Sequence, residues 1–183
     1  MAEYKETPSQ TAGPYVHIGC VPSFAGLRGM YGGRDPGDQM ITGTIDGMHI
    51  DFTGCVYDGD GVPLYDAMVE IWQAGPDGRF DSDGFSSWGR QPAAPDTGAF
   101  CFKTLKPGAL GGQSPHILIW IVARGINLGL TTRAYFADED NSGDAVFALA
   151  GARAQTLLCT KTETGYHLDI HLQGPNETVF FDV

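Results

Sequence analysis

Basic residues are scarce in this chain: 11 Lys and Arg stand against 22 Asp and Glu, for a formal net charge of -11. So acidic a surface repels phosphate backbones and anionic headgroups, which disfavours nucleic-acid and membrane partners. Long apolar runs are missing too, and none approaches the roughly 20 residues that a bilayer requires. The opening residues, Met1 to Pro8, are polar and lack the apolar stretch of a secretory leader. A cytoplasmic location is therefore expected. Cys20, Cys55, Cys101 and Cys159 are far apart and form no C-x-x-C, so free thiols are expected in preference to disulfides. G-x-S-x-G, P-loop and dinucleotide-binding signatures are absent. Ser and His residues are scattered, with no local nucleophile-and-base pattern.

Glycine, by contrast, is abundant at 26 of 183 residues, which implies many tight turns and a β-rich fold. Residues 1–40 carry Pro8, Pro14, Pro22 and Pro36 among many glycines and show no periodicity, so they read as an extended arm followed by a loop. The core is expected over residues 41–183, as one domain. Strands are expected around Ile45 to Phe52, Ala67 to Trp72, Gly98 to Thr104, His116 to Ala123, Thr131 to Phe136, Gly165 to Leu172 and Glu177 to Asp182. His116 to Ala123 is a continuous apolar run, as in a central strand buried on both faces. One short helix is expected at Ala145 to Gln155, after an Asp/Ser cap region. The pattern predicts an all-β antiparallel sandwich with an N-terminal arm and at most one or two short helices.

Several constellations invite chemistry. His167, Asp169 and His171 alternate along a strand and share one face, which would suit a divalent metal. Alternation alone also explains them, with Leu168, Ile170 and Leu172 turned to the core. Asp138-Glu139-Asp140-Asn141-Ser142-Gly143 resembles the start of a calcium loop, but Leu149 stands where the bidentate Glu is needed, so a solvated acidic turn is expected. Arg124 follows a buried strand directly and needs a partner, either a structural carboxylate or a bound anion. In the arm, Gly13-Pro14-Tyr15 combines a stiffened backbone with a flat aromatic face and a polar tip.

Taken together, Glu6 to Gly19, Val69 to Ala74, Thr104 to Gly108, Pro115 to Ile117, Ala123 to Asn127 and Gly174 to Asp182 resemble the intradiol ring-cleaving dioxygenases. The likeness is to the α-type chains of the members that act on protocatechuate. It spans the chain nearly end to end; residues 21–43 and 75–97 diverge, and the first of these is short. The resemblance implies the intradiol β-sandwich and an αβ pair repeated in a larger closed assembly, (αβ)n.

In the family's catalytic chains, two tyrosines and two histidines hold a ferric ion. Those positions fall here at Phe80, Leu110, His116 and Leu118, so only His116 survives. A family arginine falls at Gln113 and a family glutamine at Arg133. Phe and Leu offer no lone pair, so the resemblance implies a metal-free chain whose vestigial site is mostly filled by side chains. Fe(III) would be bound by the β partner. Thr11, Gly13, Pro14, Tyr15 and Arg124 are implied to line the substrate pocket of that partner, with no catalytic residue here. The alternatives are a β-sandwich binding module without an enzymatic role, or a metalloenzyme built on His167, Asp169 and His171.

Overall fold

The computed structural model describes residues 10–80 and 82–182. Residues 1–9, and with them Thr7, Pro8 and Ser9 of the expected arm, lie outside the described residues. The elements are α1 (Pro14–Cys20), β1 (His49–Tyr57), β2 (Met68–Trp72), β3 (Trp88–Pro92), β4 (Ala99–Leu105), β5 (His116–Val122) and β6 (Leu130–Phe136). They continue with α2 (Ala145–Leu149), a 3-10 turn (Gly151–Leu157), β7 (Leu158–Lys161), β8 (Gly165–His167) and β9 (Ile170–His171).

Alternation builds the sandwich. In β5, Ile117, Ile119 and Ile121 are fully buried, and each contributes about 2 kcal/mol of apolar burial. His116, Leu118, Trp120 and Val122 are only half-buried on the opposite face. The apolar run is therefore buried on one face, not two, and its second face is left to form a site. The strand order is β3-β2-β5-β6-β7-β8-β1-β4, with β9 also paired to β1. Pairing is antiparallel from β3 to β6 and between β1 and β4. It is parallel at β6–β7, β1–β8 and β1–β9. This ladder curls so that Phe52, Phe100 and Phe102 meet Val69, Ile71, Ile117 and Ile119 in one core. Gln73, buried at the end of β2, spans the two sides. Its Nε2 donates to the Leu105 carbonyl at 2.7 Å, and its Oε1 accepts from the Thr104 hydroxyl at 2.9 Å.

Several expectations need correction. The arm is not wholly extended: Gly13 is the N-cap of α1 and Pro14 takes its first turn, where a missing N–H costs nothing. Val21, the C-cap of the helix, is buried. Arg90 of β3 ties its end down, donating to the Cys20 carbonyl at 3.2 Å while pairing with Glu70 at 2.7 Å. The helix expected over 145–155 stops at Leu149, and Gly151 (φ +54°) turns the chain into the 3-10 segment. The strand expected over 165–172 breaks in two because Asp169 intervenes: its Oδ1 accepts the Cys55 N–H at 3.2 Å. A side chain there replaces a ladder carbonyl. Residues 177–182 contribute only an isolated bridge, Thr131 to Phe181. Strands β3 and β7 lack apolar alternation and were not expected. All four cysteines are free thiols.

Candidate functional site

The four positions at which the resemblance places iron ligands converge. Phe80, Leu110, His116 and Leu118 line one cavity of about 200 Å³, together with Trp72, Gln113 and Arg133, so the site is not filled by side chains as the resemblance implied. Local turns bring them there. The 75–80 loop closes on itself, with the Gly75 N–H bonded to the Arg79 carbonyl at 2.7 Å. It then lies flat against the 107–110 segment, with the Gly108 N–H on the Gly75 carbonyl at 3.0 Å. At Gly78 (φ +75°) an added Cβ would collide with the Ala109 carbonyl, so only glycine serves. Leu110 and Gln113 then exchange backbone hydrogen bonds of 3.2 and 2.9 Å around Gly111-Gly112. Both glycines have positive φ, as a two-residue type I′ hairpin requires.

On the sheet, cross-strand register does the rest. Trp72 faces Leu118 and Leu118 faces Arg133. His116 faces Tyr135, with ring centroids 5.6 Å apart. Arg133 donates to Gln113 Oε1 at 2.6 Å and to the Tyr135 hydroxyl at 3.3 Å. His116 Nδ1 donates to the Ser114 carbonyl at 2.8 Å, which assigns the tautomer and leaves Nε2 with its lone pair. Burial pushes the His116 pKa below its ordinary value, the Arg133 charge adds to that, and the Ser114 carbonyl opposes it. A ferric ion does not fit these residues. One imidazole nitrogen is the only donor at the four positions, and a guanidinium stands among them.

The second assembly is at the arm. The Thr11 hydroxyl accepts the Gly125 N–H at 2.7 Å, which straps the arm to the turn carrying Arg124. Gly13 and Arg124 line a cavity of about 370 Å³ with Ala12, His17, Phe24 and Asp66. A Cβ at Gly13 would meet nothing within 4 Å, so no close approach within this chain requires glycine there. Tyr15 is 83% exposed. Pro14 lies in the first turn of α1.

Arg124 differs from its expected setting. Its side chain is 83% exposed, with Nε 3.6 Å from Asp66 Oδ2, so it is loosely paired at the surface and not buried. Asp66 and His17 escaped the sequence reading. Asp66 meets Arg124 because Met68 pairs with Val122, which puts residues 66 and 124 across from each other. His17 is buried, and its Nε2 has no hydrogen-bond partner among the described residues. Burial lowers its pKa and the Asp66 charge opposes that.

His167, Asp169 and His171 all line one cavity of about 340 Å³, but among the described residues they form no cluster that could hold a metal ion. His167 uses Nδ1 on the Thr53 hydroxyl at 2.9 Å and Nε2 on Asp169 at 3.0 Å. His171 stacks on Tyr57 at 5.2 Å. The acidic turn is not merely solvated either. Asp138 takes Lys161 at 3.1 Å, Lys106 at 3.3 Å and the Tyr166 hydroxyl at 2.8 Å. Burial alone would raise its pKa, but these hydrogen bonds outweigh that and hold it at about 2.

No protein-family model matches the chain. Among solved structures it is similar to the dioxygenase domain of a dioxygenase–carbohydrate-binding fusion from Streptomyces sp. SirexAA-E. That match is 26% identical, covers 91% of this chain and 96% of that one, and has a TM-score of 0.59. An intradiol ring-cleavage dioxygenase from Tetranychus urticae matches at 18% identity over 75% of this chain and 88% of that one, with a TM-score of 0.60. The fold is thus the β-sandwich of the intradiol dioxygenases. Curated relatives narrow it. A protocatechuate 3,4-dioxygenase alpha chain of Pseudomonas putida is 38% identical, covering 97% of this chain and 96% of its own length. The corresponding alpha chain of Burkholderia cepacia is 36% identical, with 100% of both chains covered. The chain belongs to the family of protocatechuate 3,4-dioxygenase alpha chains.

Proposed function

We propose that this chain is the non-catalytic, iron-free subunit of a protocatechuate 3,4-dioxygenase and that it completes the substrate pocket of an iron-bearing β subunit. The observation that carries the reading is the donor set of the first cavity. Phe80, Leu110 and Leu118 bring no lone pair, and Arg133 brings a positive charge, where a ferric site needs phenolates and imidazoles. In this reading the complex cleaves protocatechuate with O2, between its hydroxylated carbons, to 3-carboxy-cis,cis-muconate. The ferric ion on the partner supplies the activation of the catechol ring.

This chain contributes position and charge. The Arg124 guanidinium is exposed and only loosely held by Asp66, so it is available to pair with the substrate carboxylate. The Thr11 hydrogen bond to Gly125 holds the arm and the arginine turn in one register. Gly13, Pro14 and Tyr15 follow directly, and the exposed Tyr15 ring offers a wall to a planar substrate. The pairs would assemble as (αβ)n, in the cytoplasm. No helix among the described residues is long and apolar enough to cross a membrane.

Co-expression with an iron-bearing β chain tests this. A stable complex with one iron per αβ pair, held on the partner, and with ring-cleaving activity is expected. An iron-loaded complex that consumes no O2 with protocatechuate would end the reading.

A further inference from the structure

Arg133 has no carboxylate among the described residues: it makes no ion pair, and its two hydrogen bonds go to neutral oxygens, Gln113 Oε1 and the Tyr135 hydroxyl. The other described cations without an ion pair, Arg28 and Arg34, are exposed; Arg133 is half-buried. A half-buried guanidinium whose described hydrogen bonds go only to neutral oxygens keeps N–H donors free for an anionic ligand. Around it the cavity is walled by Trp72, Phe80, Leu110 and Leu118, and it measures about 200 Å³. That is above the roughly 150 Å³ that suffices for a benzene ring in an apolar protein cavity. One cation, aromatic and aliphatic side chains, the polar Gln73, Gln113 and His116, and room for one ring define the ligand chemically.

We propose that the vestigial cavity is a second ligand site, which takes a single-ring aromatic carboxylate with its carboxylate on Arg133. The ring lies between Phe80, Leu110 and Leu118, and the Gln113 side chain remains free to shift and offer its amide N–H groups. Binding here needs neither a metal nor the substrate pocket of the partner. It is also independent of the role of Arg124, because the two arginines line different cavities.

The test is equilibrium dialysis of labelled benzoate against the full chain, alone and co-purified with its iron-bearing partner. Benzoate has no catechol hydroxyls and is not turned over. The expected result is one site on the chain with a Kd below about 1 mM. Arg133→Gln should weaken it about tenfold or more, while Arg124→Ala leaves it unchanged. Leu110→Trp, on an accommodating hairpin, should abolish it by filling the cavity with the arginine intact; this variant decides the matter if Arg133→Gln does not fold. In the complex, benzoate also reports the shared pocket, so Arg124→Ala removes that signal and Arg133→Gln the other. Benzamide binding as tightly as benzoate would remove the charge from the argument and overturn the proposal. Acetate or inorganic phosphate matching benzoate would reduce the site to a bare anion hole and overturn the aromatic class. Absence of any Arg133-dependent binding up to about 10 mM benzoate would sink the proposal outright.

Discussion

Arg124 and Asp66 stand across the β2–β5 register with 3.6 Å between Nε and Oδ2, too long for a charge-assisted fork. A substrate carboxylate competes with that loose partner on favourable terms. Because the carboxylate is present from binding through ring opening, the contact acts on ground and transition states alike. Arg124→Ala is therefore expected to raise KM for protocatechuate about tenfold, with kcat changed less. Steady-state kinetics of the complex check it, and an unchanged KM removes Arg124 from the site. Asp138 makes a different case. Burial would raise its carboxyl pKa, but hydrogen bonds from Tyr166, Lys161 and Lys106 hold it at about 2, below its ordinary value. A depressed carboxylate stabilises the fold above its unfolded pKa, and that stability is lost as pH falls from about 4 toward 2. The side chain is 34% exposed, so solvent screening limits the contribution to about 1 kcal/mol. Asp138→Asn should lower stability by that amount at pH 7 and flatten its decline between pH 4 and 2, measured by urea unfolding across that range.

At the level of elements, α2 depends on a residue outside it. Asp144 is buried, caps Val146 and Phe147 at 2.8 and 3.0 Å, and also accepts the Ser114 N–H at 2.9 Å, at the entrance to β5. Asp144→Ala removes a cap and leaves part-buried N–H donors unpaired, for a cost of about 2 kcal/mol. At this chain length that is a fall in Tm of about 6 °C. Unchanged melting would show that water replaces the carboxylate. Elements with strong alternation or a long apolar run, namely β2, β4, β5 and β6, were legible in the sequence because burial of one face imposes the pattern; β1 overlaps its expected range, Ile45 to Phe52, only from His49 and runs on to Tyr57. Strand β3 was not. Trp88-Gly89-Arg90-Gln91-Pro92 is an edge strand held by the Glu70–Arg90 pair rather than by apolar alternation. Helix α1 was missed because Pro14 and the surrounding glycines mask a short helix that is fixed from outside by Arg90. The break between β8 and β9 depends on one side-chain hydrogen bond, from the Cys55 N–H to Asp169, which no periodicity encodes. In the sites, the resemblance located Phe80, Leu110, His116 and Leu118, and the structure shows that they share a cavity. Asp66 and His17 were invisible, since one meets Arg124 only through strand register and the other only through burial.

For the whole molecule, the surface joins net negative charge to exposed rings and aliphatics. Tyr15, Leu149 and Leu128 are 83%, 76% and 66% exposed. In the proposed complex a β partner is expected to cover some of them. In the proposed complex, the isolated chain is expected to self-associate in sedimentation velocity and to run as a defined complex once a β partner is present. A monodisperse monomer at about 10 μM would argue for a free-standing module instead. Ferric loading followed by dialysis should leave the isolated chain with no bound iron, as measured by elemental analysis.

The exchange of arginine and glutamine has a practical consequence for anyone wishing to convert this subunit into an enzyme. Installing Phe80→Tyr, Leu110→Tyr and Leu118→His would supply oxygen and nitrogen donors, but the trivalent cation would then share its pocket with a fixed guanidinium. The repulsion between them at close range in a partly dry cavity, on the order of several kcal/mol, would weaken the metal's hold. Ferric binding is therefore expected only in a variant that also replaces Arg133 with a neutral residue, before or together with the new ligands.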